Sequence, residues 1–185
     1  MQEVELKELL QNYRIKLCNK TFVFMLSGEK EFKIRFFEES ACHLMGLQHV
    51  FDNSKHYLGA RGCQKIDDGL ITVGKLKSHN KKGYNFIKER LEHFNEILDI
   101  LENGELFKFE PEKVNGGSLI KAEFMMNKNN EAYILHLFLV KERNTDVYTP
   151  LSFVTQSSND VDFNKYLKYQ KHIKIVERKI IEAVS

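Results

Sequence analysis

Thr21-Phe22-Val23-Phe24-Met25-Leu26-Ser27-Gly28-Glu29-Lys30-Glu31-Phe32-Lys33-Ile34-Arg35-Phe36-Phe37 is the stretch whose reading decides the fold. Thr21 to Leu26 is β-branched and aromatic, Ser27 to Lys30 carries turn residues, and Glu31 to Phe37 alternates polar with apolar side chains. Two strand-like runs around a short glycine-containing turn predict a β-hairpin. Upstream, Val4, Leu6, Leu9, Leu10, Tyr13 and Leu17 recur at three- and four-residue steps, so Glu3 to Leu17 predicts a helix, ended by Asn19 and Lys20.

Downstream, Glu38 to Leu47 predicts a further helix, with Ser40 as its cap and Gly46 near its end. Two imidazoles and a thiol fall between Cys42 and His49, and nowhere else are nucleophile-capable side chains so dense among apolar ones. His49 to Cys63 reads as a loop with one short helical turn, and Ile71 to Leu76 as the start of a helix. Asn80 to Leu101 predicts the longest helix. Phe86, Ile87, Leu91, Phe94, Ile97, Leu98 and Leu101 line its apolar face, while Lys88, Glu89, Arg90 and Glu92 lie on the wet side. Asn103-Gly104 stops it.

The second half changes character. Leu106 to Phe109, Leu119 to Met126, Ala132 to Lys141 and Val147 to Val154 are strand-like, separated by turn signals at Pro111, Asn115-Gly116-Gly117, Asn127 to Asn130 and Arg143 to Asp146. Short spacing predicts an antiparallel meander, and Tyr166 to Val184 a basic C-terminal helix. The expected class is α+β: an N-terminal helix and hairpin, central helices, then roughly four antiparallel strands and a last helix. We expect one domain over 1–185, with a hairpin and helical part (1–104) and a sheet part (105–185).

Composition narrows the class. The chain has 185 residues, of which 42% are hydrophobic and 29% charged, as in a folded domain with one core. A net charge of +2 excludes a global basic field, so nucleic-acid affinity needs a local patch. Cys18, Cys42 and Cys63, an odd number without a C-x-x-C pair, do not form a disulfide framework. No signal pattern opens the sequence and no apolar run is long enough to span a bilayer, so a cytoplasmic protein without membrane association is expected.

Three motifs in this order, with the long helix between the first two, carry a resemblance. They are Phe36 to Gln48 (Phe-Phe-Glu-Glu-Ser-Ala-Cys-His-Leu-Met-Gly-Leu-Gln), Gly116 to Glu123 (Gly-Gly-Ser-Leu-Ile-Lys-Ala-Glu) and Tyr148 to Phe153 (Tyr-Thr-Pro-Leu-Ser-Phe). The chain resembles the phage- and mobile-element-associated BECR nucleases, the barnase–EndoU–colicin E5/D–RelE-like group. The resemblance implies a helix-then-four-strand fold and cofactor-free cleavage of RNA, in which the substrate's 2′-hydroxyl attacks the adjacent phosphate. It places His43, Lys121 and the Tyr148–Ser152 segment on matching motifs. It also implies a toxin or effector role, with an antitoxin or immunity protein as a further partner.

Each candidate has a chemical and a bland reading. His43 is a general base for the 2′-hydroxyl, or a helix histidine satisfied by a backbone carbonyl. Lys121 stabilises charge on the phosphorane, or is a solvated lysine on the polar strand face shared by Leu119 and Glu123. His136, in the apolar run Tyr133 to Leu139, is the acid that protonates the leaving 5′-oxygen, or a core group. Tyr148, Thr149 and Ser152 hold phosphate or position a base, or simply end a strand, with Pro150 marking an edge or bulge. Lys81, Lys82 and Arg143 are candidate phosphate contacts. The basic runs interleave with Tyr84, Phe86, Tyr166 and Tyr169, which are able to stack on bases, although such runs are commonly solvated helix faces. Cys42, His49, His56 and Cys63 recur at a constant spacing and are zinc-ligand types, but they lack the close pairs of a zinc knuckle; no metal is expected. The alternative to a nuclease is a catalytically silent binding module acting on nucleic acid or a host protein.

Overall fold

Apolar side chains at helical spacing build the first of two compact units, which comprises Met1–Asn19 and Phe36–Glu96. The computed structural model describes residues 5–52 and 54–182. Helix α1 (Leu6–Lys16) buries Leu6, Leu9, Leu10 and Tyr13 along one stripe. The expected helix start at Glu3 and Val4 lies outside the described residues. The Tyr13 ring stacks on Phe94 at 5.7 Å, and its hydroxyl donates to the Phe37 carbonyl at 3.1 Å. Arg14 forks onto Asp67 (2.9 and 2.6 Å) and reaches Glu38 at 2.6 Å, tying α1 to two segments of the unit far from it in sequence.

The expected helix after the hairpin is present in a tighter form. A 3-10 turn over Glu38–Ser40 leads into α2 (Ala41–Met45). Ser40 does not cap it: its backbone is already helical and its side chain makes no capping bond. A 3-10 turn at Leu47–His49 and another at Ser54–His56 precede α3 (Gly59–Asp67), a helix that the glycine-rich reading of this stretch missed. The start of a helix near Ile71 is borne out by α4 (Val73–His79).

The long helix is shorter than expected. Asn80 caps α5 (Lys81–Glu92) by accepting from the Gly83 N–H at 2.9 Å, but the helix ends at His93 and a 3-10 turn follows at Phe94–Glu96. Its rotation also differs. Tyr84, Ile87, Arg90 and Leu91 are buried, with Arg90 only 8% exposed, while Phe86 is 65% exposed. Phe86 and Arg90 have therefore exchanged the faces expected of them.

The second unit comprises Lys20–Arg35 and Ile97–Ser185. The hairpin forms as expected from β1 (Lys20–Leu26) and β2 (Lys30–Arg35). Then come α6 (Ile97–Asn103), β3 (Glu105–Lys108), β4 (Phe124–Asn129), β5 (Tyr133–Lys141), β6 (Val147–Ser157), β7 (Lys171–Ile173) and β8 (Ile175–Glu182). They make one eight-stranded sheet in the order β7-β3-β4-β5-β6-β2-β1-β8. Neighbours are antiparallel except β2 and β6, which run parallel through Lys33↔Val147 and Ile34↔Tyr148.

This corrects the four-stranded antiparallel sheet and the C-terminal helix. The hairpin enters the sheet through β6. Ile173, Ile175, Val176, Ile180 and Ile181 are β-branched, stiff at χ1, and extend as strands on β3 and β1. The expected helix end at Val184 lies outside the described residues. Separated by Lys174 alone, β7 and β8 pair at opposite ends of the strand order.

Leu106, Met126, Leu135, Leu137, Leu139 and Phe153 are fully buried, as are Ile97 and Ile100 of α6. Met125 and Phe138 instead join Phe109, Val114 and Ala122 in a smaller core, against which Tyr166 and Leu167 pack. Among the described residues no helix is long and apolar enough to cross a membrane.

Candidate active site

Gly46 organises the His43–His49 stretch. It ends α2 at a left-handed φ of 89°, and its N–H bonds the His43 carbonyl at 2.9 Å. The same glycine is needed for space, because a Cβ there would lie 2.7 Å from Ile87 Cγ2 and 2.9 Å from Arg90 Nη1. The chain reverses at this point, and the His49 N–H bonds the Gly46 carbonyl at 2.9 Å. The first turn of α5 packs on the same loop: a Cβ on Gly83 would lie 2.2 Å from the His49 carbonyl oxygen. One glycine thus lets the loop turn, and a second lets a helix seat against it.

The outcome is a polar cluster with a half-buried imidazole at His43, an exposed one at His49 and the buried guanidinium of Arg90. Burial lowers the pKa of His49 first, and the positive charges of Arg90 and then His43 lower it further. His49 is therefore held neutral and able to accept a proton. Its ring meets the edge of Phe86 at 4.8 Å, and Gln48 Nε2 lies 3.4 Å from His49 Nε2. Gln48 Oε1 is buried and makes no hydrogen bond among the described residues.

The thiols are held apart from this chemistry. Cys42 and Cys63 are buried, with their sulfurs 3.8 Å apart, and the contact together with burial pushes the Cys42 thiol up. Burial and the nearby Glu38 push Cys18 up to about 11. Cys18 and Cys42 are therefore poor nucleophiles in this state, and the Cys63 thiol is buried with them. Among the described residues no group of three or more His, Cys, Asp or Glu side chains is arranged to hold a metal ion.

The other candidate residues lie in the sheet unit. Lys121 stands in the irregular segment before β4, exposed, and not in the strand expected from Leu119 onward; the chain straightens only at Phe124. The expected alternation survives locally, since Ala122 is buried while Leu119, Lys121 and Glu123 are exposed. His136 is fully buried in β5, where its Nε2 lies 2.8 Å from Gln156 Oε1. Gln156 Nε2 donates to the Asp162 carbonyl at 3.0 Å, which leaves its oxygen to accept from His136. Burial lowers the His136 pKa to about 4, against the opposing effect of that bond, so the ring is neutral. Its Nδ1 has no hydrogen-bond partner among the described residues.

Tyr148 stacks on Phe32 at 4.4 Å, and burial followed by the charge of Glu123 pushes its hydroxyl up. The pairing of β5 with β6 slips between Phe138↔Ser152 and Leu139↔Pro150, so the expected irregularity at Pro150 is a bulge. Thr149 lies opposite Val140, and Arg143 is in the turn before β6. The exposed Lys81 and Lys82 open α5 in the helical unit. Among the described residues no hydrogen bond or ion pair joins Lys121, His136, Tyr148 and Ser152 to one another. The structure brings together instead His43, His49 and Arg90. The sequence marks His49 as part of the dense Cys42–His49 stretch and as a zinc-ligand type, without a catalytic role, and Arg90 as a wet-face residue. The signal that could have found the pair is the symmetric spacing His43-x-x-Gly46-x-x-His49.

No curated protein and no solved structure matches the chain. A family model does, over residues 5–183: phage-Barnase-EndoU-ColicinE5/D-RelE like nuclease 4. With nearly its whole length matched, the chain belongs to this family of BECR-type nucleases.

Proposed function

We propose that the protein is a metal-independent endoribonuclease that works through His43 and His49. The observation that carries this reading is a pair of imidazoles on one loop, His43 half-buried and His49 exposed, with burial and the charges of Arg90 and His43 holding His49 neutral. His49 takes the proton from a ribose 2′-hydroxyl, and the oxygen attacks the adjacent phosphorus. The P–O5′ bond breaks, leaving a 2′,3′-cyclic phosphate, and the imidazolium of His43 gives its proton to the departing 5′-oxygen. An acid and a base on opposite sides of one phosphate complete the step without an ion. Arg90 is a positioning residue here, since its charge acts through His49. Lys81 and Lys82 supply contacts to flanking phosphates. A role as a phage-borne toxin or effector, neutralised by an antitoxin or immunity protein, follows from the resemblance.

The test is incubation of the purified protein with total RNA in EDTA, followed by analysis of the RNA ends. Fragments with cyclic phosphate ends are expected. His43→Ala and His49→Ala should each slow their formation by about 10²–10⁴-fold. Undiminished cleavage by the double variant rules the mechanism out, and intact RNA with the wild-type protein supports the silent binding module.

A further inference from the structure

Phe86 is an aromatic side chain that the fold leaves outside. It sits mid-helix in α5, is 65% exposed, and its ring touches the edge of His49 at 4.8 Å. On a helix, residues four apart follow one row, and this row runs Lys82, Phe86, Arg90. It begins with an exposed ammonium, passes the exposed ring and ends in the buried guanidinium beside the imidazoles. Glu89, exposed at the next position on the far side of the ring, repels a polyanion there and leaves Lys82 as the phosphate contact. Tyr84, the other aromatic residue of this helix, is 9% exposed and offers no free face.

From this we infer that Phe86 is a specificity-determining residue that stacks on an unpaired nucleobase next to the scissile phosphate, with Lys82 on the flanking phosphate. The substrate class is single-stranded RNA, because a paired base has both faces covered by its neighbours and cannot reach the ring. The inference rests on the catalytic reading above.

The chain contains no tryptophan, so Phe86→Trp introduces a lone fluorescent reporter at the stacking position. The probe is a 2′-O-methyl oligonucleotide, which lacks the attacking hydroxyl and is not cut, offered unpaired and as a duplex. Quenching by the unpaired strand and not by the duplex is the expected result. In cleavage assays Phe86→Ala should lower kcat/KM on single-stranded RNA roughly five- to hundredfold, mostly through KM. Phe86→Leu, which keeps apolar area without a π-face, should behave like the alanine variant. Equal quenching by duplex, or none while anisotropy reports binding, overturns the inference. Wild-type KM in Phe86→Ala also overturns it, and leaves the catalytic reading standing if cleavage still depends on His43. Failure of the wild-type protein to cut any RNA removes the catalytic reading instead, while the quenching result still decides the stacking.

Discussion

At the scale of single residues, the chemistry depends on which charges surround each imidazole. Burial and then the charge of Arg90 lower the pKa of His49, so His49 stays unprotonated to lower pH than an ordinary histidine. If His49 is the base, activity rises as it loses its proton. Arg90→Met removes the charge, raises the His49 pKa toward its usual value, and should move the acid limb of the kcat/KM–pH profile to higher pH. An unmoved limb with lower activity would mean that Arg90 only packs. His136 gives a separate prediction about stability. Its folded-state pKa is about 4 against 6.5 when unfolded, so the unfolded chain binds the extra proton between these values. The contribution is complete above about 6.5 and is lost as pH falls toward 4, by on the order of 3 kcal/mol in total. Urea titrations across that window should show stability falling with acid in the wild type, and a flatter dependence in His136→Leu. The histidines were legible as candidates because ionisable groups in apolar runs stand out. Arg90 was not, because it borders the apolar stripe of α5, where a small error in helix phase is enough to move a residue from the buried side to the wet side.

At the scale of elements, the site is a loop turned by Gly46 and clamped by α5. Any side chain at position 46 meets two obstacles, a φ of 89° and an atom of Ile87 2.7 Å from its Cβ. Gly46→Ala should cost roughly 1–3 kcal/mol. It should also lower cleavage by more than the lost stability explains, since His43 and His49 lie on either side of the distortion. Thermal melts and activity measured well below the melting temperature separate the two effects; wild-type activity in a folded Gly46→Ala protein would show that the imidazoles need no fixed spacing. Hairpin, central strands and the first helix were readable because two-residue and three-to-four-residue periods are local. The C-terminal strands were not. Lys165 to Lys174 looks like a solvated helix face, and the isoleucines after it fit a helix stripe as well as a strand. Pairing with β3 and β1, distant in sequence, decides between them, and no local pattern reports it.

At the scale of the whole chain, each unit is assembled from segments far apart in sequence. The hairpin sits between the two segments of the helical unit yet completes the sheet unit. Its parallel pairing joins Lys33 to Val147, a separation that no short-range signal could have announced. The last strands close the same unit. Removing β8 would leave β1 as a bare edge and expose Phe22 and Phe24, which are each 2% exposed in the full chain. It would also remove Arg178, whose Nε donates to the Leu101 carbonyl at 3.2 Å and whose Nη2 bonds the Gly104 carbonyl, groups that α6 leaves open at its C-terminus. A chain truncated after Gln170 should therefore lose slow amide exchange in β1 and in α6, and should aggregate through the uncovered edge. Hydrogen exchange read by mass spectrometry gives the answer segment by segment. Unchanged protection of β1 in the truncated protein would show that the hairpin is held by β6 alone and that the closing strands are dispensable.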